Sequence, residues 1–591
     1  MEHPWLQFYD PATPHTLAYP DVTIDQVLDQ VARGNPDRTA ITFVLKYALG
    51  GRLRIGGRLT YRQLQTHIDR FAAALDQLGV RKGDRVALML PNSPQCVIAF
   101  FAVLRLGAIV VNINPTYTAP ELQHQLADSG AETIVLLNLF VPRLRKAQAE
   151  LPALKRVIVT TIDDPLPFPI GMLVRRAQRK EPGWVEVAPA SDTFWFADLL
   201  ANTPPVSPNT MCSPDDVALF QYTGGTTGVP RAAMLTHRNL VANMLQAAAW
   251  LPDKQHGRER IMCALPFFHI YGVTIGMLVS VALAANMIVV PNPRPIEQVM
   301  RVLEHERATL FPGVPAMYIG IINHPNVSSC DLTSVRCCLS AAAPLPMEVQ
   351  EQFERLTGGR LVEGYGMTET SPLTHANPIY GMRKPGSIGI PVPDTEARLV
   401  DLETGAPLAI GVPEVGELEI RGPQVMRGYW NCEEDTAGCL SADGWLRTGD
   451  ICTTDPDGYF YIVDRKKDMI IASGYKILPR EVEEVLFAHP AVQEAAIVGV
   501  PNPYRGETVK AFIVPKAGIH PTVEELLAHC RASLAPYKVP RQIEFRAELP
   551  KTAIGKVLRR VLAAEEQQTA PAPATGTPPS LLHKAGVDRM T

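Results

Sequence analysis

Apolar positions along this chain gather into short unbroken runs, each following a stretch of helical character. An unbroken apolar run has no face to offer water, so it reads as a strand covered on both sides. A helix over residues 97–106 leads into a strand over 108–113, and a helix over 121–129 leads into a strand over 133–137. Helix-then-strand units in series predict an α/β fold, with parallel sheets covered by helices. Residues 272–290, GVTIGMLVSVALAANMIVV, carry no charge and match a bilayer span in length. Asn286 divides them into a helical half and a β-branched run. The expectation is therefore a buried helix followed by a buried strand.

The pattern loosens over residues 163–208, which are proline-rich. There an apolar stretch, 169–174, runs into the basic cluster Arg175, Arg176, Arg179 and Lys180. Residues 466–561 form a compact stretch with strands and helices of their own. From Glu566 the chain is rich in Ala, Pro, Thr and Gly and reads as a disordered tail. The domains predicted are a large one over 1–465, a small one over 466–563, and a tail over 564–591.

Composition narrows the function. At 591 residues the chain exceeds one core, and 46% hydrophobic residues supply several. A net charge of −4 gives no footprint for nucleic acid. The ten cysteines include no C-x-x-C pair, which argues against a zinc site and against a disulfide framework. The opening residues, MEHPW, lack the basic-then-apolar order of a signal peptide. A cytoplasmic protein is the expectation.

The chemistry begins at YTGGTTGVPR, residues 222–231, after the apolar run 217–220. Glycines let backbone N–H groups approach an anion, threonine hydroxyls add donors, and Arg231 adds a fixed charge. That combination suits a polyphosphate, although the Walker spacing is absent. Four further segments stand out: EGYGMTET at 363–370, WLRTGD at 445–450, DRKKDM at 464–469 and LPKTAIGK at 549–556. A carboxylate beside phosphates calls for a hard cation between them. A carboxylate can also accept from both ribose hydroxyls, and a cation can bridge an attacking carboxylate and an α-phosphate.

Taken in this order, the segments resemble the acyl-adenylate-forming, AMP-binding superfamily. Together with MLTHRN at 234–239 they resemble its bacterial long-chain fatty acid–CoA ligases, from about residue 20 to 563. The resemblance weakens around 45–58 and 163–208. It implies an acyl-adenylate-forming fold with a small mobile α+β C-terminal domain, and ATP, Mg²⁺ and coenzyme A as participants. Tyr222, Thr223, Gly224, Gly225, Thr226, Thr227, Gly228 and Arg231 would bind the phosphates. Glu369 would hold Mg²⁺ and Thr368 would reach the α-phosphate. Gly364, Tyr365 and Gly366 would pack on adenine. The segment SAAAP at 340–344, with Ala342 and Ala343, resembles the strand forming the other adenine wall. Asp450 and Arg465 would take the ribose, and Lys467 would be the hinge. Gly474 would line the thiol channel, Lys556 would act in adenylation, and His269 would lie beside the carboxylate pocket in a steric role. The sequence departs from the family at Arg231, where lysine is usual.

The function implied is ATP-dependent acyl-AMP formation followed by transfer to CoA, with rotation of the C-terminal domain between the two. Alternatives are an adenylating ligase for a medium-chain or aryl acid, a fatty acyl-AMP ligase, and a catalytically silent binding protein. Intact Glu369, Asp450, Arg465 and Lys556 weigh against the last. Reversible contact with an anionic membrane through residues 43–58 and 169–180 is a further expectation, and so is a homodimer.

Overall fold

The computed structural model describes residues 3–48, 51, 53–148, 150–181, 184–206, 208, 210–223, 230–465, 468–472, 475–502, 506–552 and 557–569. The described residues divide into two compact units, one of residues 3–465 and one of residues 468–552 and 557–569.

Among the described residues the larger unit is built on four sheets. Its widest has eight strands, in the order Gly428–Tyr429, Arg231–Thr236, Val217–Thr223, Ile109–Asn112, Arg85–Met89, Thr133–Leu137, Arg156–Thr160 and Thr193–Trp195. From Val217–Thr223 to Thr193–Trp195 every neighbour is parallel. The unbroken apolar runs read from the sequence are these central strands. The helix Pro94–Arg105 is buried along its whole length, as an all-round apolar helix must be. At its end the Arg105 guanidinium donates to Asp25 at 2.8 Å, to Asp29 at 2.6 Å and to Asp69.

Two four-stranded sheets adjoin. One runs Arg260–Cys263, Asn286–Val289, Thr39–Ala48, Leu53–Thr60. The other runs Cys337–Ser340, Arg360–Gly366, Leu373–Ala376, Ile390–Pro391. Leu310 bridges Ile261 and Cys337 between them. An antiparallel sheet of Glu396–Asp401, Gly416–Arg421, Leu446–Thr454 and Phe460–Arg465 completes the unit. The uncharged stretch 272–290 is a π-helical segment Gly272–Leu278, a helix Val279–Ala282 and a strand Asn286–Val289, nearly all buried. Among the described residues no helix is long and apolar enough to cross a membrane.

The irregular region carries the helix Ile170–Gln178, none of whose residues is buried. Phe168 is 84% exposed, Met172 57% and Leu173 59%. A side chain at Gly57 would lie 2.8 Å from the Pro165 carbonyl oxygen. The strand Leu53–Thr60 therefore abuts the segment leading into that helix, and the two basic stretches, distant in sequence, are neighbours.

The smaller unit is a five-stranded sheet with the helices Pro479–Phe487 and Val523–Ser533 over a core of Ile477, Val482, Leu486, Ile497, Ile513 and Leu526. Two expectations need correction. A tail was expected from residue 564, but the helix Arg559–Thr569 continues through the first of those residues. Arg546 donates to Glu565 at 2.8 Å and Lys510 to Glu566 at 2.6 Å, which anchors that turn. Residues 570–591 lie outside the described residues. SAAAP is not a strand either: the strand Cys337–Ser340 ends at its first residue, and Ala342 turns into the left-handed region at φ 72°.

Candidate active site

Most candidate residues of the larger unit lie at or just beyond strand ends, whereas Asp450 sits in the middle of the strand Leu446–Thr454. The strands Val217–Thr223 and Arg231–Thr236 are antiparallel, with Thr223 opposite Arg231. The two ends of the glycine-rich segment are therefore held side by side. Gly224, Gly225, Thr226, Thr227 and Gly228 lie outside the described residues. So do Lys467, Gly474 and Lys556. Arg465 is placed by its backbone, as the register partner of Asp450.

Tyr222 donates its hydroxyl to Asp128 at 2.5 Å. Burial and that carboxylate push the phenol well above its ordinary value, so it stays protonated. In a separate sheet, the strands Cys337–Ser340 and Arg360–Gly366 run parallel, with Ser340 opposite Glu363. The two segments expected to enclose adenine thus leave adjacent strands of one sheet. A Cβ at Gly366 would fall 1.8 Å from the Pro372 carbonyl oxygen, so only glycine fits there. Ala342 holds a left-handed conformation that costs an L-residue roughly 1–2 kcal/mol, with no glycine to relieve it.

Two tyrosine–carboxylate pairs define the polar floor. Tyr365 donates to Asp450 at 2.6 Å, and both are buried. Tyr429 donates to Glu369 at 2.7 Å, and Glu369 is buried in the short turn Thr368–Thr370. Thr368 itself is half-buried. Burial and the Glu369 carboxylate raise the Tyr429 hydroxyl well above its usual value, keeping it a donor. Arg231 lies 2.9 Å from Asp435 and 5.5 Å over the Tyr429 ring. On the strand beside Tyr365, burial pushes His375 down to about 3, so it stays neutral.

Among the described residues no group of three or more His, Cys, Asp or Glu is arranged to hold a metal. A single buried carboxylate fits Mg²⁺ bound mainly through substrate phosphates and water, because that ion keeps most of its waters and takes one or two protein oxygens.

The aromatic segment around His269 is clamped by buried amides. Phe267 N–H donates to Asn92 at 2.7 Å, Asn112 donates to the Phe267 carbonyl at 3.3 Å, and Gln221 donates to the Phe268 carbonyl at 2.9 Å. His269 Nδ1 accepts from the Tyr271 N–H at 3.2 Å, which fits a positional role. Sequence reasoning missed Asn92, Asn112, Gln221, Tyr429 and Asp435. For Asn112 and Gln221 a signal was present: each is an amide inside an otherwise apolar strand, where burial demands a partner. Tyr429 and Asp435 carry no local signal.

Comparison with known proteins agrees with this geometry. The family model for AMP-binding enzymes matches residues 28–430, and that for the AMP-binding enzyme C-terminal domain matches 481–556. The chain is 46% identical over 575 residues to a long-chain-fatty-acid–CoA ligase of Bacillus subtilis, covering 96% of this chain and 99% of the relative. It is 42% identical over 573 residues to a long-chain-fatty-acid–CoA ligase of Yersinia pestis, covering 96% and 98%. Among solved structures, an anthranilate CoA ligase in complex with anthranoyl-AMP superposes with a TM-score of 0.78 at 28% identity, covering 93% of this chain and 98% of that one. Family models over residues 28–430 and 481–556, and relatives matched along nearly the whole length, place this chain in the AMP-binding enzyme family.

Proposed function

We propose that this protein is an ATP-dependent long-chain fatty acid–CoA ligase. The acid attacks the α-phosphorus of ATP to give acyl-AMP and pyrophosphate. The CoA thiol then attacks the acyl carbon to give acyl-CoA and AMP. The observation that carries the reading is 46% identity across nearly both full lengths with a relative of that name. The buried pairs Tyr365–Asp450 and Tyr429–Glu369 support it.

In this reading Asp450 and Arg465 hold the ribose, and Gly364, Tyr365, Gly366, Ala342 and Ala343 enclose the adenine. The segment 222–228 and Arg231 take the β- and γ-phosphates, and Thr368 takes the α-phosphate. Mg²⁺ held by Glu369 would supply charge neutralisation between that carboxylate and the polyphosphate. Lys556 stabilises the charge that develops as carboxylate and α-phosphate meet. Rotation of the smaller domain about Lys467 then replaces Lys556 with Gly474 for thiol entry. A homodimer belongs to the same reading, and a light-scattering mass tests it.

Reversible contact of a cytoplasmic enzyme with anionic membrane is also part of the proposal. The helix Ile170–Gln178 supports it: exposed Phe168, Met172 and Leu173 stand beside Arg176, Arg179 and Lys180, as in helices that lie in a lipid interface. The neighbouring hairpin adds Arg54 and Arg58, which share the Glu306 carboxylate with Arg260 of the strand Arg260–Cys263. Arg52 lies outside the described residues.

The test is pyrophosphate release with a graded series of fatty acids and with aryl acids, each with and without CoA. Long-chain acids should release pyrophosphate and form the thioester. Preference for an aryl or medium-chain acid, or adenylate formation without thioester, would overturn the assignment.

A further inference from the structure

The family departure at Arg231 has a counterpart on the helix Glu433–Cys439. Arg231 Nε lies 2.9 Å from an Asp435 carboxylate oxygen, and the guanidinium stands 5.5 Å over the Tyr429 ring. Tyr429 in turn donates to Glu369 at 2.7 Å. The cation that closes the phosphate segment is thus paired with an anion of its own chain before a polyphosphate arrives. Arg231 is buried to 13% exposure, whereas Asp435 keeps 42%. Breaking the pair therefore returns a carboxylate to water and does not strand it in the interior, so the exchange is cheap.

Building on the reading that Arg231 serves the phosphates, we infer that Asp435 is a positioning residue that competes with the β- and γ-phosphates for Arg231. Asp435 holds the guanidinium over Tyr429 when the site is empty, yields it to MgATP, and recaptures it as pyrophosphate departs. Arginine suits this exchange better than the usual lysine. Its donors lie in a planar fork, so one edge can meet the carboxylate while another meets a phosphate, and its flat face stacks on tyrosine. Glu433 and Glu434, in the same first turn as Asp435, add like charge that disfavours a lingering pyrophosphate. The contact with Tyr429 ties this exchange to the carboxylate assigned to Mg²⁺.

The experiment measures KM for MgATP and Ki for pyrophosphate at low salt in the parent, Asp435→Asn, Arg231→Ala and the double variant. Thermal melts establish that each is folded, and Asp435→Ser repeats the measurement with a shorter side chain. Asp435→Asn should lower both constants about threefold, the range of a partly exposed ion pair. Asp435→Glu should restore the parent values. In the Arg231→Ala background the Asp435 substitution should have no effect. Parent-like constants in folded Asp435→Asn, or the same shift without Arg231, would overturn the inference. If Arg231→Ala weakens both ligands while Asp435→Asn changes neither, only the inference falls. If Arg231→Ala leaves both constants at parent values, the phosphate role of Arg231 falls and takes the inference with it.

Discussion

Charge is handled in opposite ways at the carboxylate floor and at the edge formed by the hairpin and the helix Ile170–Gln178. At the floor, Asp450 and Glu369 are buried and each is held by a tyrosine hydroxyl. Their positions are set before any ligand binds, and removal from water strengthens what they do. At the edge, Arg176, Arg179 and Lys180 stand in solvent beside exposed apolar side chains. Among the described residues Arg176 and Lys180 meet no carboxylate, while Arg179 lies over Trp184 at 5.9 Å. Fixed, buried charge suits a reaction; loose, exposed charge beside apolar residues suits a surface. The motifs that carry the family resemblance include EGYGMTET and WLRTGD at the floor, and none falls at this edge. Chemistry dictates one set of residues, whereas many arrangements of basic and apolar side chains can meet a lipid surface.

The largest effect should come from the catalytic side. Lys556→Ala should lower adenylate formation by about 10²–10³-fold, the scale for removing one group that stabilises developing charge. Thioester formation from supplied acyl-AMP should stay near the parent rate, because in the proposed alternation domain rotation takes this residue out of the second half-reaction. Separate assays of pyrophosphate release and of acyl-CoA formation read the two. Equal loss of both would show that charge at the reaction centre is shared between half-reactions, contrary to the alternation of domains.

At the edge, the combined change Arg176→Gln, Arg179→Gln, Lys180→Gln should weaken binding to vesicles of anionic lipid by about 100-fold, at about 1 kcal/mol per basic residue. Co-sedimentation at low and raised salt measures it, and adenylation of a soluble short-chain acid should be unchanged. Persistent binding by this variant would mean that its charges, like those of the floor, serve the fold.

A smaller effect is expected at Asp450. Replacement by Asn keeps a hydrogen bond to Tyr365 but removes the charge that two ribose hydroxyls would share. KM for ATP should rise about tenfold, in the range for hydrogen bonds to charged groups, with little change in kcat at saturating ATP. A large fall in kcat with KM intact would move Asp450 from binding to the reaction itself.

How much of this was legible in the sequence follows from the same contrast. The strands at 108–113 and 133–137 were readable because burial on both faces leaves an unbroken apolar run. The glycine-rich segment stands out in the sequence because few residue types let a backbone approach phosphates, but Gly224, Gly225 and Gly228 lie outside the described residues. SAAAP was misread as strand because small apolar residues fit a strand or a turn equally well, and only the backbone reveals the left-handed Ala342. Tyr429 and Asp435 were invisible. They reach Glu369 and Arg231 across 60 and about 200 residues of chain, and a long-range contact leaves no local pattern. The adjacency of the two basic stretches was hidden for the same reason, since it depends on Gly57 meeting Pro165.

The finest division between the two kinds of charge runs through the edge itself, at Arg175. It belongs to the basic cluster by sequence, yet it donates to Asp163 at 2.7 Å and to Asp164 at 2.6 Å. Asp163 is wholly buried and its other oxygen has no partner among the described residues. Arg175 is therefore committed to folding the turn that precedes the helix. Arg175→Gln should change vesicle affinity by less than about twofold, because a neutralised guanidinium contributes little to the surface field. The same substitution should lower stability by about 1–3 kcal/mol, the cost of leaving a buried acceptor without its donor. A thermal melt and the vesicle assay on one preparation read both quantities. A variant that loses membrane binding while keeping its melting temperature would place Arg175 with Arg176, Arg179 and Lys180, and charge pairing within the chain would then be no guide to which residues face the lipid.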